Sequence, residues 1–265
     1  MPERPAHPQF TGLRRERLPS LLAIVFGVLL LFLAVLAQGR ELRVAVAANF
    51  LPTFRDVAAL YRESTGHAVI AIGASSGKLY AQILNGAPFD LFLAADSEYP
   101  RRLEEEGAAL AGSRATYALG QLVLWSPRTN LVDPRGEVLK HGGFRHLAQA
   151  NPATAPYGRA ARQMLQRLGL WERLQGRVAR GESVGQAFQF VVSGNAELGF
   201  VAAAQAIQRE GSRWVVPTHL YDPLTQQAVV LAGAAEQQRA QEFLEFLVRD
   251  PGARRLIREH GYELP

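Results

Sequence analysis

The stretch ELRVAVAANFLPTFRDVAALYRESTGHAVIAIGASSGKLYAQILNGAPFDLFLAAD, residues 41–96, sets the fold class. Glu41–Ala48 is a mostly apolar run and predicts a buried strand. Phe54, Val57, Ala58 and Tyr61 then recur at i, i+3, i+4 and i+7, the stripe of one helix face. Asn49 is the expected N-cap of that helix, and Pro52 sits in its first turn, where a missing N–H does no harm. Gly66 ends it. His67–Gly73 (HAVIAIG) predicts a second strand, Lys78–Leu84 a helix closed by Asn85-Gly86, and Phe89–Ala94 (FDLFLA) a third strand. Asp96 or Ser97 is expected to cap the next helix, which runs to Glu106. Strand, helix, strand, helix, strand is the order of a parallel α/β unit.

Downstream, Ala118–Ser126 (ALGQLVLWS) reads as one strand, followed by a loop-rich stretch with Pro127, Asp133-Pro134 and Gly142-Gly143. Helices are expected from Gly158 to Leu168 and, capped by Ser183, over Val184–Val192. Strands are expected at Leu198–Ala202, Arg213–Pro217 and Thr225–Ala232. An amphipathic helix over Gln237–Val248 and a short one over Pro251–Gly261 close the chain.

Composition narrows the function. The 265 residues allow one or two domains, and 48% hydrophobic with 20% charged residues describes a chain that builds a packed core. There is no cysteine, which excludes a disulfide scaffold, a thiolate metal site, a Cys nucleophile and a lipid-modified N-terminal Cys. The six His show no ligand spacing, so neither a metal centre nor a cofactor is expected. The net charge of +5 is spread along the chain and is too weak to imply a nucleic-acid partner. All the basic residues but Lys78 and Lys140 are Arg, a bias of genome composition more than of chemistry.

Ahead of the α/β unit, Leu21–Ala37 is an unbroken apolar run preceded by Arg14, Arg15 and Arg17 and ending in Val35-Leu36-Ala37. A basic flank, an apolar core and a small-residue site predict a signal peptide over residues 1–37 and a mature protein that works in the periplasm. The alternative is an uncleaved membrane anchor, since the run is near the lower length limit for a spanning helix. Arg14-Arg15 resembles the start of a twin-arginine signal, but Arg17 stands where an apolar residue is expected.

No catalytic motif is complete. Gly73-Ala-Ser-Ser-Gly-Lys78 resembles a phosphate-binding P-loop, but the glycines are one residue too close and Leu79 replaces the required Ser or Thr. What survives is the physics. A Ser-Ser-Gly turn at a helix start offers N–H groups and hydroxyls to an anion, with the helix dipole behind them. Asn49, Tyr157 and Val184 each sit at or just before another helix start. Any one alone is an ordinary cap; the four together form a site only if the fold gathers them.

VAVAANF (Val44–Phe50), ASSGKLYAQI (Ala74–Ile83), GAPFDLFLAAD (Gly86–Asp96) and ELGFVAAAQ (Glu197–Gln205) resemble the ModA family of periplasmic molybdate-binding proteins of ABC importers. The resemblance runs from Glu41 to the C-terminus. It implies an α/β, two-lobe type II periplasmic binding protein fold with a ligand cleft between the lobes. The lobes are expected at 41–119 plus 225–265 and at 120–224. It implies ligand contacts from Asn49, Ser76 and the backbone N–H groups of Tyr157 and Val184. Lys78 is separately expected to point outward. It also implies a non-enzymatic monomer that delivers molybdate or tungstate to a membrane permease. The family's usual Tyr after LGxV is Ala202 here, and Tyr157 stands where Ala is common. This reads as relocation of a hydroxyl donor onto Tyr157. The alternatives are a receptor for sulfate, phosphate or another oxyanion, or an enzyme on the same fold. The sensing half of a regulator is excluded if the export signal is real.

Overall fold

The computed structural model describes residues 40–265; the signal or anchor read at 1–37 lies outside the described residues. The chain begins with β1 (Leu42–Ala47), α1 (Leu51–Thr65), β2 (Val69–Ala74), α2 (Ser76–Leu84), β3 (Leu91–Leu93), α3 (Glu98–Glu105) and β4 (Ala115–Gly120). It continues through β5 (Leu122–Ser126), α4 (Val138–His141), β6 (Leu147–Ala150), α5 (Pro156–Arg167), α6 (Trp171–Leu174), β7 (Val178–Gly181) and α7 (Val184–Val192). Then come β8 (Leu198–Ala202), α8 (Ala203–Ala206), β9 (Ser212–Val215), β10 (Leu224–Val230), α9 (Gln237–Arg249) and α10 (Pro251–Glu259).

The strands form two five-stranded sheets, ordered β2-β1-β3-β10-β4 and β7-β6-β8-β5-β9. In the first, β1 pairs parallel with β2 and β3, and β10 pairs antiparallel with β3 and β4. In the second, β6 pairs parallel with β7 and β8, and β5 pairs antiparallel with β8 and β9. Each sheet is therefore a parallel trio extended by two further strands, each paired antiparallel with its neighbour. Helices cover both faces, which is why β1 is apolar at every position but Arg43. Leu42, Val44 and Val46 face one way, onto Phe54 of α1, Phe243 of α9 and Ile257 of α10. Ala45, between them, faces Leu79 of α2 and Leu103 of α3. The period of two distributes one strand between two cores. The second sheet repeats this, with Leu122 and Leu124 on the side of Met164, and Val123 and Trp125 on the side of Phe188.

Two expectations are corrected. Ala118–Ser126 is not one strand. It is the end of β4 and the whole of β5, which lie in different sheets on either side of Gln121. The apolar pattern runs through the break, so periodicity sees a single element. Asn49 is not a helix cap. α1 has Phe50 at its N-cap, with no side-chain capping bond, and the Asn49 amide turns elsewhere. β6 (LAQA) and β7 (VARG) were hidden in sequence because short runs of small and polar residues carry no strand signature. Among the described residues, no helix is long and apolar enough to cross a membrane.

Glu197, at the start of β8, ties the preceding loop to the second sheet. It accepts from the N–H of His146 at 2.9 Å and of Arg145 at 3.3 Å, and pairs with Arg145 Nε at 3.3 Å. Burial pushes its carboxyl up, but these donors outweigh burial and hold it at about 2, below its ordinary 4.5. A depressed carboxylate stabilises the fold fully above its unfolded value and loses that contribution as pH falls through the folded one. Urea unfolding between pH 5 and pH 2 should show wild type losing more stability than Glu197→Gln; superimposable pH profiles would refute the assignment.

Candidate anion-binding site

Five short segments converge between the sheets. The end of β1 supplies Ala47, Ala48 and Asn49; the start of α2 supplies Ser75 and Ser76; Ala95 follows β3. From the second sheet come Ala155, Pro156 and Tyr157 at the start of α5, and Ser183 and Val184 at the start of α7. They enclose a cavity of about 10 Å³. That is room for roughly one water-sized group, far below the roughly 300–1,000 Å³ of sites for drug-sized ligands. No lining residue is charged. Asn49, Ser76, Tyr157 and Val184 all lie on this wall, so the fold gathers the four residues expected from sequence.

The donors come mainly from helix starts. The first N–H groups of an α-helix have no acceptor within it, and the dipole makes that end positive. At α5, Pro156 has no N–H, so Tyr157 carries the first one. Its approach is close because Gly158 has no side chain: a Cβ there would lie 2.4 Å from the carbonyl oxygen of Ala150. At α7, Ser183 Oγ accepts from Gln186 N at 3.2 Å, which leaves the Val184 N–H without an acceptor in the helix. Ser76 Oγ accepts from Ala95 N at 2.9 Å, so its own hydrogen remains to be given.

Ser75 was missed. It is 3% exposed, lines the cavity, and its Oγ has no partner. The sequence signal was present in the Ser75-Ser76 pair, but only the second matched the resemblance. Tyr157 needs a correction of role. Its hydroxyl lies 3.5 Å from Gln226 Nε2, from which it accepts, and 2.3 Å from where a Cβ on Gly120 would be. The hydroxyl read as relocated onto the ligand is turned to Gln226 of β10. Burial raises it well above the ordinary tyrosine value, so it stays protonated.

Residues 42–263 match the family described as bacterial extracellular solute-binding protein. The chain is 47% identical over 249 residues to the molybdate-binding protein ModA of Azotobacter vinelandii, covering 92% of this chain and 98% of the relative. The chain belongs to the ModA family. The ModA of Rhodobacter capsulatus is 46% identical, over 91% of this chain and 93% of the relative. The solved structure of the Azotobacter vinelandii periplasmic molybdate-binding protein superposes with a TM-score of 0.83, covering 85% of this chain and all (100%) of that one. The sulfate-binding protein SubI of Mycobacterium tuberculosis shares the fold, at 16% identity and a TM-score of 0.66, over 85% of this chain and 87% of that one.

In this member of the ModA family the lobes are pinned across the cavity mouth. Gly77 N donates to Thr154 O at 2.8 Å. Lys78 points outward, as expected from sequence, and pairs with Glu182 at 2.8 Å, both side chains about half exposed. Arg159 Nη2 of α5 reaches Asp96 Oδ2 at 2.6 Å and Glu98 at 3.5 Å. Burial raises the Asp96 carboxyl and Arg159 only partly opposes it. Such a pair adds little net stability, yet breaking one half leaves the other buried and uncompensated. Arg159→Ala should weaken ligand binding by about 1–3 kcal/mol, short of a fully buried pair because part of the Arg stays in water. Asp96→Asn should cost less. Calorimetric titration of both variants checks the order, and a larger loss for Asp96→Asn would contradict it.

Proposed function

We propose that the protein is the extracytoplasmic solute-binding component of an ABC importer. It captures molybdate or tungstate as a tetrahedral dianion in this cavity and delivers it to a membrane permease. The observation that carries the reading is a small enclosed cavity walled by neutral donors at three helix starts, in a chain 47% identical to a molybdate-binding protein. Ser75 and Ser76 give hydroxyls, Asn49 its amide, and Tyr157 and Val184 their backbone N–H groups. Molybdenum enters as an oxyanion, so it is cargo and needs no metal ligands. The protein works as a monomer in the periplasm without catalysing a reaction. The lobes run over 41–119 with 225–265 and over 120–224, a division supported by the membership of the two sheets.

Selectivity follows from the donors. A buried dianion without a counter-charge needs several hydrogen bonds. Hydrogen phosphate carries an O–H that needs an acceptor, which the backbone N–H groups cannot be and a Ser hydroxyl can be only by giving up its own donation, so the wall disfavours it. Sulfate has no such proton and is separated from molybdate by size alone.

Calorimetric titration of the mature protein against molybdate, tungstate, sulfate and phosphate tests the reading. One-to-one binding of molybdate and tungstate, with no heat from phosphate, is expected. Tight sulfate binding without molybdate binding would reassign the ligand. Ser76→Ala removes one donor to charge and should cost about 1.5–3 kcal/mol, roughly 10- to 150-fold in affinity. Unchanged affinity would remove Ser76 from the site.

A further inference from the structure

We propose that Gln226 is a positioning residue for this site: its amide decides which end of the Asn49 amide faces the anion, and the Tyr157 hydroxyl serves Gln226 and not the ligand. The proposal rests on the oxyanion reading above.

Behind the cavity lies a buried polar network. Asn49 Nδ2 donates to Gln226 Oε1 at 2.8 Å and to Tyr262 Oη at 3.1 Å. Tyr262 Oη donates to Asn49 O at 2.9 Å. Tyr117 Oη has two acceptors for one hydrogen, Ala94 O at 3.0 Å and Gln226 Oε1 at 3.1 Å. Gln226 Nε2 donates to Tyr157 Oη at 3.5 Å. In this arrangement both Asn49 donors are taken. Asn49 Oδ1, on a residue that lines the cavity, has no partner. The Tyr157 hydroxyl hydrogen has no acceptor among the described residues.

A carbonyl oxygen left for the cavity would repel an oxyanion. The two ends of an amide have nearly the same shape, so the network admits a second arrangement in which Asn49 and Gln226 turn together. Gln226 then donates to Asn49 Oδ1 and to Tyr117 Oη, and Tyr117 keeps its hydrogen for Ala94 O. Gln226 Oε1 accepts from Tyr157. Asn49 Nδ2 becomes the free end, and its two hydrogens are what a dianion requires. Asn49 cannot turn alone, because its oxygen would then meet the Gln226 oxygen at 2.8 Å. Every remaining oxygen conflict is removed by the paired turn except at Tyr262, whose single hydrogen is shared between Asn49 O and Oδ1. The anion selects the second arrangement through its differential contact with Nδ2.

Molybdate titrations of wild type, Gln226→Met, Asn49→Ala and the double variant test this. Gln226→Met and Asn49→Ala should each weaken binding tenfold or more, and the double variant should bind no more weakly than Asn49→Ala alone. Multiplying effects, or wild-type affinity in Gln226→Met, would overturn the relay. Wild-type protein that binds no oxyanion would overturn the functional reading instead. NMR of molybdate-loaded wild type needs no variant to fold. The Gln226 side-chain amide protons should show contacts to the Tyr117 ring; contacts to the Tyr157 ring in their place would refute the turn.

Discussion

On the proposed function, a doubly charged ion held without a cation is the constraint behind the rest of this molecule. The wall offers no Lys, Arg or metal, so attraction must come from partial charges on N–H and O–H groups. Each is weak in water and strong only where water is shut out. Several must therefore reach one point from different directions, and a single helix cannot do that. Two sheets, each aiming helix starts at the gap between them, can. The same requirement explains the apolar filling of the wall by Ala47, Ala95 and Ala155, which brings backbone close without adding competing polar atoms.

The parallel α/β unit was legible because β1 to α3 follow simple periodicity and short turns. The division into two sheets was harder to see. β4 and β5 are separated by one residue and share one apolar run, so nothing local says that they part company at Gln121. Of the site, Ser76 and the two helix starts were readable, since an N-terminal turn announces its free N–H groups. The roles of Asn49 and Tyr157 were not. Asn49 is held by Gln226 and Tyr262, 177 and 213 residues away in sequence, and no spacing rule reports such partners. Tyr157 looked like a ligand donor because a hydroxyl near a helix start is a reasonable one. Its orientation is set by Gly120 and Gln226 on other elements.

The wall and its support differ in kind. Serine hydroxyls rotate freely and adapt to whatever oxygen arrives. The Asn49 amide cannot, since its two ends have opposite sense, and it needs a second amide behind it. Tyr117, Tyr157 and Tyr262 fill the space around that pair as rigid apolar bodies with one polar tip each. Burial keeps all three hydroxyls protonated, so the network does not change its charge across the physiological range.

The insertion of β10 between β3 and β4 bears on the order in which the molecule is made. All strands of the second sheet lie within Leu122–Val215, a continuous segment. The first sheet has no direct β3–β4 pairing and stays open until Leu224–Val230 has been synthesised. Leu119 also pairs with Glu263, two residues before the end of the chain. A polypeptide emerging N-terminus first would ordinarily finish its leading domain first. Here the leading sheet lacks its fourth strand in spatial order until β10 is made, whereas every strand of the second sheet precedes β10 in the chain. No nascent fragment short of Tyr262 has the full support for Asn49, so that side of the cavity wall is complete only once Tyr262 has been made.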